Sequence, residues 1–318
     1  MRERVRHTID KTTTVPAFSV VVQKLINLTT QPHVDLEEIS KLARIEPGLA
    51  TKFLQVANSA FYGGNPLNSV EDAILRIGTI EIRKLAMLIT MMDGLSCFRR
   101  TKPITEIDPH LQIDWTIFWR HSLLTARLNE HLIAAIHPPS GREYLAGLLH
   151  DIGKLFLHRH FPSEFEIVMI RAKEDEEDYY SAENQLLDTH HAEVGAFLGN
   201  KWKLHSDIIE AIHSHHVFPP VETLNSPESP AVAALTLVVA NLLAGAAGTD
   251  IHGKNPQPIN PARLPGWNRL SELAGKEIQL PELNVEMKFV TDTIQFLNSQ
   301  SPPPAIPSRK ALAELAKG

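Results

Sequence analysis

The stretch Tyr144-Leu-Ala-Gly-Leu-Leu-His-Asp-Ile-Gly-Lys154 carries an apolar run, Leu145 to Leu149, that leads directly into His150 and Asp151. The run is long enough for two helical turns, and Gly153 is a residue at which a helix commonly ends or bends. A neutral imidazole beside a carboxylate suits a divalent transition metal, and an adjacent buried stripe would keep the ion from bulk water. Taken alone, the pair also fits an exposed helix end, so the other histidines have to decide between the two.

Composition limits the classes of protein that the chain can belong to. It has 318 residues, 43% hydrophobic and 21% charged, which is typical of one or two ordinary globular domains. A formal net charge of −6 argues against binding nucleic acid through phosphate contacts. Cys97 is the only cysteine, so an intrachain disulfide is excluded and a reducing cytoplasm is the expected location. We expect neither a signal peptide nor a membrane-spanning run of about 20 apolar residues.

The amino-terminal part shows helical periodicity, and the alternation typical of strands is nearly absent. Ser69 and Thr79 are the expected N-caps of two successive helices, and Gly78 is expected to end the first of them. Asp35 is expected to cap an earlier helix, with Glu38 completing a capping box. The helices predicted here cover residues 15–28, a segment from 35 onward, 49–60, 70–77 and 80–92.

The second half continues the helical pattern after a polar connection over 99–114. An all-α fold is therefore predicted throughout, with a Pro-rich tail from Ser301. The helices predicted here begin at Trp115 and at the apolar run before His150, and then cover residues 161–172, 183–202, 206–213, 231–247 and 287–297.

Several histidines fall on or at the ends of these helices, where they can converge on one core. Nitrogen-rich sites completed by one carboxylate suit iron, manganese, zinc or nickel rather than calcium or magnesium. A single buried histidine is more often an ordinary core residue, so the argument depends on the set. His190 and His213 could each replace a neighbour, because one residue turns a helical side chain by about 100°. The set comprises His121, His150 with Asp151, His191, His215 and His216.

Seven further histidines are interpreted as surface residues because they lie in polar or loop contexts. They are His7, His33, His110, His137, His158, His160 and His252.

Two groups of motifs resemble known families. Gly147-Leu-Leu-His-Asp-Ile-Gly-Lys154 resembles the signature of the HD superfamily of metal-dependent phosphohydrolases. The amino-terminal motifs resemble the HDOD family, the HD-related output domains of bacterial signalling proteins. The resemblance covers about residues 15–247. Its amino-terminal motifs are Val15-Pro16, Ile45-Glu-Pro-Gly-Leu49, Val56-Ala-Asn-Ser-Ala-Phe-Tyr-Gly63 and Ser69-Val-Glu-Asp-Ala-Ile-Leu-Arg-Ile-Gly78.

This resemblance implies an HDOD-type multi-helix fold with an HD-like helical bundle in the second half. The expected divisions are an extension over 1–14, the HDOD domain over 15–247 and a carboxy-terminal extension over 248–318. Within the HDOD domain, 15–98 is the amino-terminal helical part and 115–247 is the bundle.

The related HD-GYP phosphodiesterases, which cleave cyclic di-GMP at a dinuclear iron or manganese site, imply roles residue by residue. Asp151 would bridge two metals and Lys154 would contact a substrate phosphate, which makes these two the candidate catalytic residues. The implied metal ligands are His121, His150, Asp151, His191, His215, His216 and, at the position of a final Asp, Asn241.

Two departures from the HD-GYP pattern bear on activity. A neutral Asn241 is a poorer partner for a dication than an aspartate, so it should weaken the metal that it contacts. No Gly-Tyr-Pro loop follows His216, only Val217-Phe-Pro-Pro220, so part of the expected substrate wall is missing. Most HDOD domains have lost the metal ligands and are thought to be interaction modules, whereas this sequence keeps most of them.

Two functions therefore remain as alternatives. The first is an output module of bacterial signal transduction that binds a protein partner and carries a structural, vestigial or sensory metal site. The second is a metal-dependent phosphohydrolase that acts on a nucleotide or a cyclic dinucleotide. One or two ions are expected, with iron or manganese favoured and zinc or nickel as alternatives. Nucleic acid is not an expected partner, because the basic residues do not cluster and the net charge is negative. A membrane is not expected either, because no spanning apolar run is expected.

Overall fold

The structure, a computed structural model, describes residues 1–11, 24, 36–45, 47–58, 62–98, 113–174, 178–249 and 259–299. These residues form helices and the loops between them, with no strand in the described ranges, and the all-α prediction is confirmed. Five sequence predictions lie outside the described residues: the helix over 15–28 (residue 24 apart), the capping role of Asp35, most of the 99–114 connection, the tail from Ser301, and the surface positions of His33, His110 and His252.

The amino-terminal helices follow the prediction closely. The Ser69 hydroxyl accepts a hydrogen bond from the Asp72 amide, as an N-cap should, and Gly78 ends that helix. Thr79 was expected to cap the next helix, but it is that helix's first residue. Gly78, at φ 90° and ψ 150°, takes the cap position, so it both ends one helix and starts the next. The helices are α1 (Arg2–Lys11), α2 (Leu36–Ile45), α3 (Pro47–Ala57), α4 (Val70–Ile77) and α5 (Thr79–Gly94), followed by a 3-10 turn (Leu95–Phe98).

The second half is built around one long helix, α6 (Trp115–Ile136), whose N-cap is the carboxylate of Asp114. Helices from later in the chain, among them α7, α13 and α15, pack around α6 and bury it on several sides. The other helices are α7 (Arg142–Leu149), α8 (Ile152–His160), α9 (Pro162–Glu174), α10 (Tyr179–Leu187), α11 (His191–Lys201), α12 (Ser206–Ser214), α13 (Pro230–Ala244), α14 (Trp267–Ala274) and α15 (Leu283–Ser299).

The single helix predicted over 183–202 is wrong, because the structure has α10 and α11 there. Asp188 takes the left-handed conformation (φ 49°), which stops α10. His190 then acts as the N-cap of α11, its Nδ1 accepting a hydrogen bond from the Glu193 amide. The break puts His191 at the first position of α11.

Gly153 does not end a helix, contrary to expectation. The break falls at His150 and Asp151, and Gly153 lies in the first turn of α8. Its role is to allow close packing, since a Cβ there would lie 2.0 Å from the His191 carbonyl oxygen. Helices α8 and α11 therefore meet backbone to backbone at this point, which brings Asp151 and His191 together.

One helical segment in the described ranges, Pro230–Thr249, is by length and composition long and apolar enough to cross a bilayer. The expectation that no such run exists was therefore wrong. The segment comprises α13 and a π-helical turn (Gly245–Thr249), and more than half of its most apolar window is buried. It packs against α6 and α12, so in this fold it is a core helix.

Candidate metal centre

Four parts of the bundle bring the predicted ligands to one place. His121 lies within α6, His150 and Asp151 form the junction of α7 and α8, and His191 begins α11. His215 and His216, which follow α12, reach the same place. All but one of these side chains are buried, with no more than 6% of the residue exposed, and His216 is half-buried. The residues gathered here are His121, His150, Asp151, His191, His215 and His216.

Asp151 divides the cluster into two groups of ligands. It occupies the N-cap of α8 but makes no side-chain cap bond, so both its oxygens face the histidines. Oδ1 lies 3.2 Å from His191 Nε2 and 3.5 Å from His215 Nε2. Oδ2 lies 3.5 Å from His150 Nε2 and 3.7 Å from His121 Nε2. We name the two groups the His191 half-site (Asp151, His191, His215, His216) and the His121 half-site (His121, His150, Asp151).

The outer nitrogens of four imidazoles are committed to neighbouring acceptors. A carbonyl or carboxylate oxygen can only accept, so the Nδ1 that faces it carries the hydrogen. The Thr249 hydroxyl donates to the Ala244 carbonyl and is thus an acceptor for His121 Nδ1. The Nδ1 contacts are His150 to Gly147 O (2.8 Å), His215 to Ile212 O (2.6 Å), His191 to Glu183 Oε2 (2.6 Å) and His121 to Thr249 Oγ1 (3.1 Å).

In the neutral form that binds metal, these four imidazoles consequently present the lone pairs of their inner nitrogens to one another. His121 Nε2 lies 3.2 Å from His150 Nε2, and His191 Nε2 lies 3.3 Å from His215 Nε2. His191 Nε2 is also 2.9 Å from His216 Nε2. Facing lone pairs repel unless a cation lies between them, and Nε2 coordination with Nδ1 hydrogen-bonded outward is the usual arrangement of metal-bound histidine. The residues present therefore fit a transition metal.

Burial keeps most of these imidazoles neutral. Burial lowers the pKa of His121 to about 4, and nearby His150 adds to the effect. Burial likewise lowers the pKa of His150 to about 3 and of His215 to about 4, while it holds the pKa of His216 well below its usual value. A neutral imidazole is the form that binds metal, so these groups are ready to coordinate.

Two members of the cluster shift in ways that favour charge. Burial alone would raise the pKa of Asp151, but His150 and Lys154, together with His191 and His215, hold it well below its usual value. Burial alone would lower the pKa of His191, but the Glu183 carboxylate and Asp151 raise it. Asp151 is therefore an anion, and His191 is the most basic imidazole of the cluster.

The other predicted site residues lie close by. Asn241, on α13, places its Oδ1 2.9 Å from His121 Nε2, on the side of the His121 half-site. Lys154 is buried, and its Nζ lies 2.7 Å from Asp151 Oδ2. His190 caps α11 and His213 is exposed, and neither belongs to the two half-sites.

His158 was expected at the surface but is 3% exposed, because it lies on the inward face of α8 against the Phe165 ring. Sequence reasoning also missed Glu183 and Thr249, which orient ligands from the outside. No motif or regular spacing marked them, since they depend on how α10 and the end of α13 pack. Tyr180 was missed too, and its ring stacks on His216 at 4.7 Å.

Fold and site together define an all-α protein with a buried His/Asp centre that a metal could occupy. The family model of the HDOD domain matches residues 15–218, and the chain belongs to this family. A relative in Treponema pallidum (strain Nichols), an uncharacterized protein, is 26% identical over 244 residues, which cover 74% of this chain and 42% of that protein. The chain thus spans less than half the length of this relative.

Solved structures share the fold at low identity. An HDOD domain protein of unknown function from Geobacter sulfurreducens superposes with a TM-score of 0.70 at 21% identity, over 92% of this chain and 96% of that one. A candidate signal transduction protein from Marinobacter aquaeolei VT8 gives 0.69 at 21%, over 94% and 66%. A candidate phosphohydrolase from Shewanella amazonensis SB2B gives 0.60 at 18%, over 93% and 98%. These similarities establish the fold alone.

Proposed function

We propose that this protein is a cytoplasmic output domain of bacterial signal transduction that acts on a protein partner and carries a transition-metal centre. The observation that carries the metal centre is the facing of Nε2 atoms in two pairs of imidazoles, His121 with His150 at 3.2 Å and His191 with His215 at 3.3 Å. The HDOD family supports the signalling role.

Iron or manganese is the favoured metal, with zinc or nickel as alternatives, because the donors are imidazole nitrogens and one carboxylate. The residues that would hold it are His121, His150, Asp151, His191, His215, His216 and Asn241.

Two features favour a regulatory role over turnover. Five of the candidate ligands are almost fully buried, with His150 and His191 at 0% exposure and only His216 and Asn241 half-buried, so a bulky substrate has little access to most of them. Asn241 supplies a neutral oxygen to the His121 half-site, which weakens the second ion that a two-metal hydrolysis needs.

The alternative, a metal-dependent phosphohydrolase, is favoured by Asp151, which is shared between two ligand groups, and by the Lys154 ammonium beside it. A divalent ion bound there would polarise a phosphate ester and activate water. Asp151 would fix the positions of the two half-sites relative to each other, and the positive charge of Lys154 would keep the Asp151 carboxylate ionised.

A hydrolysis assay with metal-loaded protein separates the two functions. The protein is reconstituted with Fe²⁺ or Mn²⁺ and incubated with cyclic di-GMP and with bis-p-nitrophenyl phosphate, beside His150→Ala. We expect metal to be retained and turnover to match the variant's background. Turnover by the wild type that His150→Ala abolishes would contradict the regulatory proposal and establish the phosphohydrolase.

A further inference from the structure

Glu183 is the most deeply buried carboxylate next to the cluster, and it touches one ligand only. Its side chain is 0% exposed, and Oε2 accepts hydrogen bonds from both the backbone amide (2.7 Å) and Nδ1 (2.6 Å) of His191. It comes from α10, whereas His191 begins α11, so the pair fastens the two helices across the break at Asp188. Two bonds to one oxygen fix both the backbone and the ring of His191.

A carboxylate behind a metal-binding imidazole does two things. It fixes the tautomer and the ring plane, and it makes the inner nitrogen a stronger donor. It also adds a second negative charge, after Asp151, to the surroundings of the His191 half-site. A dication in that half-site would therefore be attracted by two buried anions.

The His121 half-site has the opposite electrostatic surroundings. Asp151 Oδ2, the oxygen on that side, is already in contact with the Lys154 ammonium at 2.7 Å, and a dication there would meet that positive charge. Asn241 offers a neutral oxygen. His121 is supported by the neutral hydroxyl of Thr249 rather than by a carboxylate.

We infer that the two half-sites are unequal: Glu183 makes the His191 half-site the resident metal site, and the His121 half-site binds its ion weakly and exchangeably. Glu183 acts as a positioning residue through His191. The inference rests on the proposed metal centre and specifies its stoichiometry.

Titration of the apoprotein with Mn²⁺ tests the inference, with free Mn²⁺ measured by electron paramagnetic resonance. We expect one tight equivalent and a second whose Kd is at least about tenfold higher. Glu183→Gln, which keeps the size and removes the charge, should raise the Kd of the tight equivalent about 10- to 100-fold. Asn241→Asp should strengthen the second equivalent and leave the first unchanged.

Glu193→Gln is the matched control. Glu193 lies in the first turn of α11, as His191 does, but its carboxylate pairs with Arg2 and Thr189 and contacts no candidate metal ligand. Its substitution should leave the Kd within about twofold, since second-sphere effects need contact with a ligand. In the Glu183→Gln apoprotein the Nδ1 proton of His191 should also move upfield in the NMR spectrum, which reports the weaker hydrogen bond at Nδ1 independently of metal binding.

Failure of this inference and failure of the proposed metal centre would give different results. Two equivalents of equal affinity, or a Glu183→Gln variant with unchanged Kd and a less stable apoprotein, would overturn the inference and leave the metal centre standing. No binding of Mn²⁺, Fe²⁺ or Co²⁺ by folded wild type would overturn both.

Discussion

Substitution of Gly153 by alanine should destabilise the protein and disturb the metal centre together. A Cβ at this position would lie 2.0 Å from the carbonyl oxygen of His191, 2.7 Å from its carbonyl carbon and 2.9 Å from its Cα. Ordinary contact begins near 3.4 Å, so α8 and α11 would have to separate by more than an ångström. The obstacle is backbone, which cannot rotate away as a side chain can.

The magnitude follows from two opposing effects. Overpacking of this kind costs about 3 kcal/mol or more, while alanine inside a helix returns about 1 kcal/mol of helix propensity. The net loss is therefore at least about 2 kcal/mol. Because Asp151 and His191 lie on either side of the contact, the shift should also weaken metal binding by about tenfold or more, since ligand geometry is displaced by about 1 Å.

The assay is urea unfolding of the apoprotein, followed by Mn²⁺ titration, with Gly48→Ala as control. Gly48 is in helix α3, where a Cβ would meet no atom within 4 Å, and it lies far from the cluster in sequence. Gly48→Ala should raise the free energy of unfolding by about 0.4–1 kcal/mol, which shifts the urea midpoint slightly upward. A Gly153→Ala protein as stable as the wild type, with the same Kd, would refute the packing argument.

Further outcomes follow from the charges. Metal uptake at pH 6 should release about one proton, because the raised pKa of His191 leaves it protonated there while His121 and His215, with pKa about 4, are already neutral. The affinity for metal should accordingly rise with pH by up to about tenfold per unit below the pKa of His191 and level off above it. Calorimetry in buffers of different ionisation enthalpy counts the protons released. Release of several protons would contradict the assignment of His191 as the one protonated ligand. Arg127→Ala should loosen helix α15 by about 1–3 kcal/mol, since the guanidinium pairs with Glu286 at 2.5 Å and covers the Phe289 ring at 4.3 Å. Earlier proteolysis of the carboxy-terminal helix measures that loss, and an unchanged cleavage rate would contradict it.

Much of the fold could be predicted because helix capping and apolar periodicity, which depend on neighbouring residues alone, determine many of its helices. Ser69, Gly78 and the apolar spacing between them determine a short helix by capping and periodicity alone, and the structure has that helix. The helix predicted over 183–202 failed for a local reason of another kind. Asp188 in the left-handed region and His190 as a cap are conformations that these residues take only occasionally.

The ligand positions could be inferred from the set of histidines and the resemblance, and the structure brings those side chains together. The assignment of each as a ligand stays a prediction. What the sequence could not supply is the environment of each group. Glu183 reaches His191 through the packing of α10, and Gly153 permits a contact between backbones, and both depend on distances across helices. Periodicity contains no information on such distances.

The most direct test of the account is the metal content of protein purified without added metal or chelator, measured by mass spectrometry. Wild type is compared with the His150→Ala/Asp151→Ala variant, with circular dichroism as a check of folding. The account predicts about one equivalent of a transition metal, iron or manganese first among them, in the wild type and its loss in the variant. Folded wild type with no metal above background, or a variant that retains the same amount, would contradict it.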